Sequence, residues 1–221
     1  MLVIGDLHEP FTHPGYLPFC SETYRKFRCV EVVFIGDIVD NHAVSFHDHD
    51  PSGMSPGSEL DRAKAKLEHW THAFPRAKVC IGNHDARMHI RARKFGLPDN
   101  ILRSLGEIYS TPGWDYQLRH EIGEVLYMHG TKYSGMTAHR RIAMENRQST
   151  VIGHVHSHAG VCYLACHKDL IFGMNVGCGV DIHSYAMEYG TDFQIKPVLG
   201  CGVVFGKRQA QFIPMDLGDR R

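Results

Sequence analysis

The chain has 221 residues, enough to bury the core of one sizeable domain, and we predict a single domain over residues 1–221. Hydrophobic residues make up 43% of the chain and charged residues 22%, which is an ordinary globular composition. Lysine plus arginine and aspartate plus glutamate both number 24, so the net charge is zero. This balance argues against a surface that binds polyanions everywhere, although it is compatible with a local basic patch. No apolar run reaches transmembrane length, so we expect no membrane partner.

The cysteines and histidines indicate the cellular compartment and the chemistry. The seven cysteines are odd in number and mostly lie in apolar runs, and we expect no targeting segment before Asp6. We therefore predict reduced, mostly buried thiols in a cytoplasmic protein. Cys162, Cys166 and His167 lack the second cysteine pair of a zinc site, so we favour the same interpretation there. The 17 histidines are an excess that several imidazoles lining one site would explain.

The first half of the chain alternates predicted strands and helices. Strands are predicted at residues 2–4, 30–35 and 79–81, and a loop rich in proline and glycine at residues 42–58. Apolar residues recur at helical spacing after the first strand and again after the loop. The first helix carries Leu17, Cys20, Tyr24 and Phe27. The second carries Leu60, Ala63, Leu67, Trp70 and Phe74, and we predict that a capping box of Ser58 and Asp61 opens it.

The third predicted helix is basic and follows the strand at residues 79–81. It carries Arg87, Arg91, Arg93 and Lys94, which we interpret as a solvated helix face in preference to a nucleic-acid contact. The second half of the chain is richer in strand, with one helix at residues 136–147. Strands are predicted near residues 115–119, 124–128, 150–152, 160–166, 170–175 and 199–205. This order predicts an α/β fold of two sheets face to face with helices outside.

Five short polar motifs follow predicted strands or turns in a fixed order. Because side chains at the carboxyl ends of neighbouring strands can converge above a sheet, we expect these motifs to meet in one crevice. One such motif is a weak signal, but five in order are specific. They are Asp6-Leu7-His8, Gly36-Asp37-Ile38-Val39-Asp40, Gly82-Asn83-His84-Asp85, His129-Gly130 and Gly153-His154-Val155-His156.

The residue types in these motifs are metal ligands. Asp6 and His8 are two residues apart, so along a regular strand both side chains point the same way and can share one cation. His154 and His156 repeat that spacing. Asp37 is the best candidate for a carboxylate that bridges two cations. The motifs together predict a two-metal site that cleaves phosphoesters, because two cations neutralise the phosphate oxygens and activate a water.

The order and wording of the five motifs resemble the calcineurin-like metallophosphoesterase family. The resemblance covers about three quarters of the chain and implies a four-layer αββα sandwich of two mixed sheets. It implies a first metal held by Asp6, His8, Asp37 and His156, and a second held by Asp37, Asn83, His129 and His154. It also implies that His84 contacts the phosphate and protonates the leaving oxygen. Asp40 would orient His84 and raise its pKa.

Mixed nitrogen and oxygen ligands without cysteine suit manganese, iron, zinc, nickel or cobalt, and manganese is our working choice for both cations. Asp85 is predicted to cap the helix that follows it. Protein phosphatases of this superfamily carry arginine after the second aspartate of the Gly-Asp-x-x-Asp motif, whereas this chain carries Asn41. That difference argues against a phosphoprotein phosphatase. The motifs Gly82-Asn83-His84-Asp85 and Gly153-His154-Val155-His156 resemble the nuclease and phosphodiesterase branches more closely.

The long loop that leaves Asp40 is predicted to contact the leaving-group side of the substrate, because long loops in compact domains are often binding loops. The residues assigned to this role are Asn41, His42, His47 and His49. A third metal site at His47-Asp48-His49-Asp50 is the less favoured interpretation of that run.

We predict a phosphodiesterase acting on a nucleotide or nucleic acid. The main alternative is a phosphomonoesterase acting on nucleotides, small metabolites or phosphoproteins. A non-catalytic scaffold is less favoured, because the ligand set is complete. Only 65 residues follow His156, which is too few for the DNA-capping domain of larger repair nucleases in this family. We therefore expect short or single-stranded substrates.

Overall fold

The computed structural model describes residues 1–46, 53–184 and 196–218. Within them, one sheet has six strands. Four neighbours in this sheet are parallel, and two strands at one edge pair antiparallel. The spatial order is β11 (Ala210–Pro214), β10 (Gly200–Val204), β1 (Leu2–Ile4), β2 (Val32–Phe34), β3 (Ala77–Cys80) and β4 (Trp114–Gln117).

The second sheet has five described strands and is also mixed. Its centre is parallel, and each edge strand pairs antiparallel with its neighbour. The spatial order is β5 (Arg119–Ile122), β6 (Val125–Met128), β7 (Thr150–Ile152), β9 (Leu170–Asn175) and β8 (Gly160–Ala165).

The helices cover the outer faces of the two sheets. Helices α1 (Tyr16–Lys26), α2 (Pro56–Ala73) and α4 (Leu105–Tyr109) place buried side chains in a core with the first sheet. Helix α5 (Ala138–Asn146) lies against β9 so closely that a Cβ on Gly173 would meet the His139 carbonyl oxygen at 2.1 Å. Helix α3 (Arg87–Lys94) carries no fully buried side chain. None of the described helices combines the length and apolarity that a membrane span requires.

The alternation of side chains along each strand builds two separate apolar layers. In β1, Leu2 and Ile4 join the layer beneath the helices, whereas Val3 points into the layer between the sheets. Phe172 and Met174 meet that second layer from β9. Burying one such side chain contributes about 1.5–3 kcal/mol, which fixes both the register and the face-to-face packing. The predicted α/β fold with two mixed sheets between helices is thereby confirmed.

Three local predictions differ from the structure. Helix α2 begins at Pro56 with Ser55 as its N-cap, so the predicted capping box of Ser58 and Asp61 is wrong. The reason is that Ser55 Oγ accepts from the Ser58 amide, and proline at the first position needs no partner. Residues 114–122 form two strands in different sheets, separated at the exposed Leu118. Strand β11 and helix α4 were not predicted, because both are short segments whose burial depends on distant neighbours.

Candidate metal centre and active site

The carboxyl ends of the strands bring the five motifs together. Parallel strands β1, β2 and β3 end at one edge of the first sheet, and they are followed by Asp6, Asp37 and Asn83. Strands β6 and β7 of the second sheet are followed by His129 and His154 at the same crevice. The crevice therefore lies where the two sheets meet, as expected for ligands at strand ends.

Glycines beside the aspartates allow this convergence. A Cβ on Gly82 would lie 2.1 Å from Asp37 Oδ1, and a Cβ on Gly153 would lie 2.2 Å from Asp6 Oδ1. Three of the predicted metal ligands also have positive φ: His8 at 53°, Asp37 at 47° and His154 at 65°. Left-handed backbone is uncommon for residues other than glycine and concentrates at functional sites, where the surrounding structure holds it in place.

The first group of side chains gathers around Asp6. Asp6 Oδ2 accepts from the His154 amide at 2.9 Å and lies 2.9 Å from Nε2 of His156. Nitrogen and oxygen atoms of Asp6, His8 and His156 all lie within 4.8 Å of one another. Among the described residues, the buried atoms without a hydrogen-bond partner include Asp6 Oδ1 and His8 Nε2. A carboxylate oxygen and an imidazole nitrogen are both atoms that coordinate metal cations in proteins.

The second group gathers around Asp37. Its Oδ2 atom lies 3.1 Å from His129 Nε2 and 3.7 Å from His8 Nε2. Asp37, His129 and His154 each offer one possible ligand atom, and these atoms lie within 4.8 Å of one another. Asn83 Oδ1 lies 3.0 Å from His129 Nε2. His129 Nδ1 donates a hydrogen bond to the backbone oxygen of Ile35 at 3.1 Å, and this contact turns Nε2 towards the crevice. Asp37 therefore stands between the two groups.

Asp40 connects a third group, which contains His8 and His84. Its Oδ1 atom lies 2.6 Å from His8 Nδ1 and 3.2 Å from His84 Nδ1. The His84 ring also donates from Nδ1 to the Asp40 backbone oxygen at 2.7 Å. Asp40 thus holds the His8 ring with its Nε2 towards Asp37, and it holds the His84 ring at the same time.

The electrostatics of the crevice favour positive charge. Burial favours the neutral acid at Asp37, but His129 and His84 outweigh it and hold the pKa of Asp37 well below its usual range. The pKa of Asp6 is lowered in the same way, against burial, by His129 and His156. Burial opposes the charge on His129, yet Asp37 and Asp6 raise its pKa to about 10. Buried carboxylates that draw protons onto histidines offer a strong field for cations.

Asp85 has a different role from the predicted helix cap. Helix α3 starts at Arg87 behind Ala86 and has no side-chain cap, so that prediction is wrong. The fully buried carboxylate of Asp85 accepts from the amides of Ile38 and Gly82, each at 3.0 Å. It thereby ties the turn after β2 to the turn after β3. Burial and the nearby Asp37 raise the pKa of Asp85 to about 7.

We expect Asp85→Asn to destabilise the protein by about 1–3 kcal/mol, since an amide can accept on only one of its two ends and leaves one backbone N–H unpaired. The urea midpoint measures this loss. Activity should fall with it, because the two joined turns carry Asp37 and His84. Glu107→Gln is the matched control, since the carboxylate of Glu107 also binds a backbone amide but at an exposed helix start. Equal midpoints for Asp85→Asn and the parent would contradict the assigned role.

Gly82→Ala should destabilise the protein by about 1–3 kcal/mol, because its Cβ would overlap Asp37 Oδ1 and force the turn to move. Bound metal, measured by elemental analysis, should fall as well. Gly57→Ala is the control, since a Cβ at Gly57 meets nothing within 4 Å in the first turn of α2. Alanine there should be neutral or stabilise by up to about 1 kcal/mol. Similar changes for both variants would show that the Gly82 contact is unimportant.

Helix α3 differs from the predicted solvated face. Arg87 Nη1 donates to the backbone oxygens of Asp40 and Asn41, and its Nη2 lies 3.0 Å from His84 Nε2. Arg91 donates to the backbone oxygens of Val44 and Ser45. These two arginines face the loop after β2, whereas Arg93 and Lys94 are exposed. Sequence alone did not single out Arg87, although its position three residues after His84 at a helix start was a usable signal.

The residues predicted to contact substrate divide into two sets. Asn41 is buried and donates from Nδ2 to the His84 backbone oxygen at 3.0 Å and to the Tyr109 hydroxyl at 3.1 Å. His42 lies beside Asp40, with Nδ1 3.8 Å from Asp40 Oδ2. Glu59 accepts from the amides of His42 and Ala43 and so fixes the start of the loop. The second set, with His47, His49 and the less favoured third metal site at residues 47–50, lies outside the described residues. The substrate contacts stay predictions.

The cysteines agree with the expectation of free thiols. Those in the described chain form no disulfide, and five of the seven are buried. Cys166 Sγ donates to Asp169 at 3.1 Å. Within residues 1–46, 53–184 and 196–218, no cluster of potential metal ligands includes Cys162, Cys166 or His167.

Two mixed sheets packed face to face, with aspartates and histidines gathered where their strands end, define the metallophosphoesterase class of protein. A family model described as calcineurin-like phosphoesterase matches residues 1–173. The chain belongs to this family, as the motifs predicted. The matched segment contains every residue assigned above to the metals or to catalysis.

Comparison with solved structures gives weaker similarities. Vacuolar Protein Sorting 29 from Cryptosporidium parvum aligns with a TM-score of 0.47 and 14% identity, over 100% of this chain and 92% of that chain. Vps29 from Chaetomium thermophilum aligns with a TM-score of 0.44 and 14% identity, over 93% and 84%. Similarity at this level carries no argument about function. No curated protein matches the chain in sequence.

Proposed function

We propose that this protein hydrolyses phosphodiesters with two divalent cations, of which manganese is the first to test. The observation that carries the proposal is the position of Asp37 Oδ2, within 3.1 Å of His129 Nε2 and 3.7 Å of His8 Nε2. One carboxylate oxygen thus faces imidazoles from both ligand groups. The unpartnered buried atoms Asp6 Oδ1 and His8 Nε2 fit the same interpretation.

The two metals would be held by the ligand sets that the family resemblance implies. Asp6, His8, Asp37 and His156 would hold the first, and Asp37, Asn83, His129 and His154 the second. Oxygen and imidazole donors without sulfur suit manganese, iron, zinc, nickel or cobalt. When bound, such a pair of cations neutralises phosphate charge and makes water a stronger nucleophile at neutral pH.

The protein's own residues would supply proton transfer and orientation. His84 donates from Nδ1 to the Asp40 backbone oxygen, so a neutral ring accepts at Nε2 from Arg87. Burial opposes charge on His84, but Asp37 and Asp40 raise its pKa. A protonated ring carries a second N–H at Nε2, which is the proton we assign to the leaving oxygen. Protonation also releases Arg87 Nη2 to bind a phosphate oxygen.

A diester is the proposed substrate class because Asn41 replaces the arginine that follows the second aspartate in the protein phosphatases of this superfamily. In this chain, Asn41 is buried against Tyr109 and the His84 turn. Arg87, two residues after the motif that contains His84, is the cation that lies nearest to His84 among the described contacts. A nucleotide or a short nucleic acid is the proposed source of the diester.

Paired assays test the proposal. The purified protein is stripped with chelator, reloaded with manganese, zinc, iron, nickel or cobalt, and assayed on bis-nitrophenyl and mono-nitrophenyl phosphate, with bound metal measured in parallel. We expect two metals per chain and faster hydrolysis of the diester. Faster monoester hydrolysis would establish a phosphomonoesterase instead. If the protein binds none of these metals and hydrolyses neither substrate, the result would support the non-catalytic scaffold instead.

A further inference from the structure

An exposed aromatic ring lies close to two cations beside the crevice. The guanidinium carbon of Arg91 is 4.9 Å from the centre of the Phe46 ring, and Lys94 Nζ is 4.3 Å from it. Phe46 is 45% exposed, although apolar rings of this size usually find cover. We call Phe46, Arg91 and Lys94 the aromatic-cation cluster. Cations over an aromatic ring stabilise its position, and the exposed part of Phe46 is available for contact.

The aromatic-cation cluster is connected to the catalytic side of the crevice by helix α3. Arg87, in the first turn of α3, contacts His84 and the backbone oxygen of Asp40. Lys94 ends the same helix, so it lies about 10 Å further along the axis at 1.5 Å per residue. Arg91 fixes Val44 and Ser45, which directly precede Phe46. The helix therefore presents cations from the site outwards.

Helix α3 is positively charged, whereas the chain as a whole is neutral. Helix α3 carries Arg87, Arg91, Arg93 and Lys94 and no acidic residue, whereas lysines and arginines equal acids over the whole sequence. Arg93 is neutralised by Asp99, with two contacts of 2.7 Å. No ion pair between Arg91 or Lys94 and a described carboxylate is present, so their charge is available to an anion. A polyanionic chain is complementary in charge to these cations of helix α3.

We propose that the aromatic-cation cluster binds the strand of a single-stranded nucleic acid next to the scissile phosphodiester. A base stacks on Phe46, and phosphates of the same strand contact Lys94 and Arg91. Proteins that bind single strands without sequence preference combine exposed aromatic rings, on which bases stack, with cations that contact the phosphates. Stacking needs an unpaired base, which a duplex does not offer. The inference deepens the proposed function, since it names the substrate class of that site.

The experiment measures binding of a fluorescent phosphorothioate octathymidylate to the full chain as purified, by anisotropy over a range of salt. Phe46→Ala should weaken binding about 5- to 150-fold, the effect of losing one stacked base, and Phe46→Trp should restore it. Lys94→Ala should weaken binding and lower the salt slope by about 0.7, for one lost phosphate contact on a single strand.

Lys26→Ala is the matched control, because Lys26 Nζ lies 5.9 Å from the Phe27 ring at the end of α1. Its binding should equal that of the parent. Equal affinity for all variants, or equal loss with Lys26→Ala, would overturn the inference. Tighter binding of the duplex than of the single strand would overturn it too. Hydrolysis of bis-nitrophenyl phosphate by the parent is measured separately, so failure of the proposed activity is distinguishable from failure of this surface to bind.

Discussion

Asp37→Asn is expected to lower the turnover of a diester by about 10²–10³-fold or more, since stabilisation by metals is worth several kcal/mol and each 1.36 kcal/mol is tenfold in rate. The change removes the one charge that faces both ligand groups. The fold should survive, because Asn Oδ1 can still accept from the His84 amide, which lies 2.8 Å from Asp37 Oδ1. Turnover and metal content are measured together on protein whose melting temperature matches the parent.

Asp115→Asn is the control for this substitution. Asp115 belongs to the same sheet as the strand before Asp37, but it is half exposed and lies 3.7 Å from Lys78. A surface ion pair of this kind contributes little, so metal content and turnover should stay at the parent's values. If Asp37→Asn retained both metals and near-normal turnover, the bridging assignment would be wrong.

The second large effect is expected for His84→Ala. Bound metal should be retained, because Asn83 and not His84 is assigned as the ligand. The rate should fall about 10²–10⁴-fold on nucleotide or alkyl leaving groups, the usual contribution of a general acid. It should fall much less on nitrophenolate, which needs little protonation. Rates for a series of leaving groups measure the difference.

The pH dependence of turnover tests independently whether His84 acts as the general acid. Burial lowers the pKa of His84, but Asp37 and Asp40 outweigh it and raise the pKa above the ordinary imidazole value. The proton is therefore present below the raised pKa and lost as pH rises through it. Turnover of poor leaving groups should fall on that alkaline limb, and His84→Ala should lack the limb.

Arg87→Met separates proton donation from charge. An arginine cannot donate its proton in this pH range, so its loss should slow good and poor leaving groups by similar factors. Equal loss on both leaving groups for His84→Ala would assign His84 to phosphate binding or to holding the turn. The two variants together distinguish the acid from its neighbouring cation.

The sequence alone determined the family and the layered α/β fold, and it supplied the residues that we propose for the site. It did so because ligand chemistry requires particular side chains, and because strand ends are marked by apolar runs that stop at Asp6, Asp37 and His154. These signals are local. The continuous apolar run Leu2-Val3-Ile4 likewise predicts a strand that is buried on both faces before any neighbour is known.

Only the tertiary structure decided how the site is held together. The motif around Asp85 looks like a helix start in one dimension, but its carboxylate binds the amides of Ile38 and Gly82, which lie 47 and three residues away. Arg87 looked like one member of a solvated basic run until folding placed it against His84. The physical reason is that the role of a polar side chain depends on its desolvation and on hydrogen-bond partners that are distant in sequence. Neither can be predicted from the residues of its own segment.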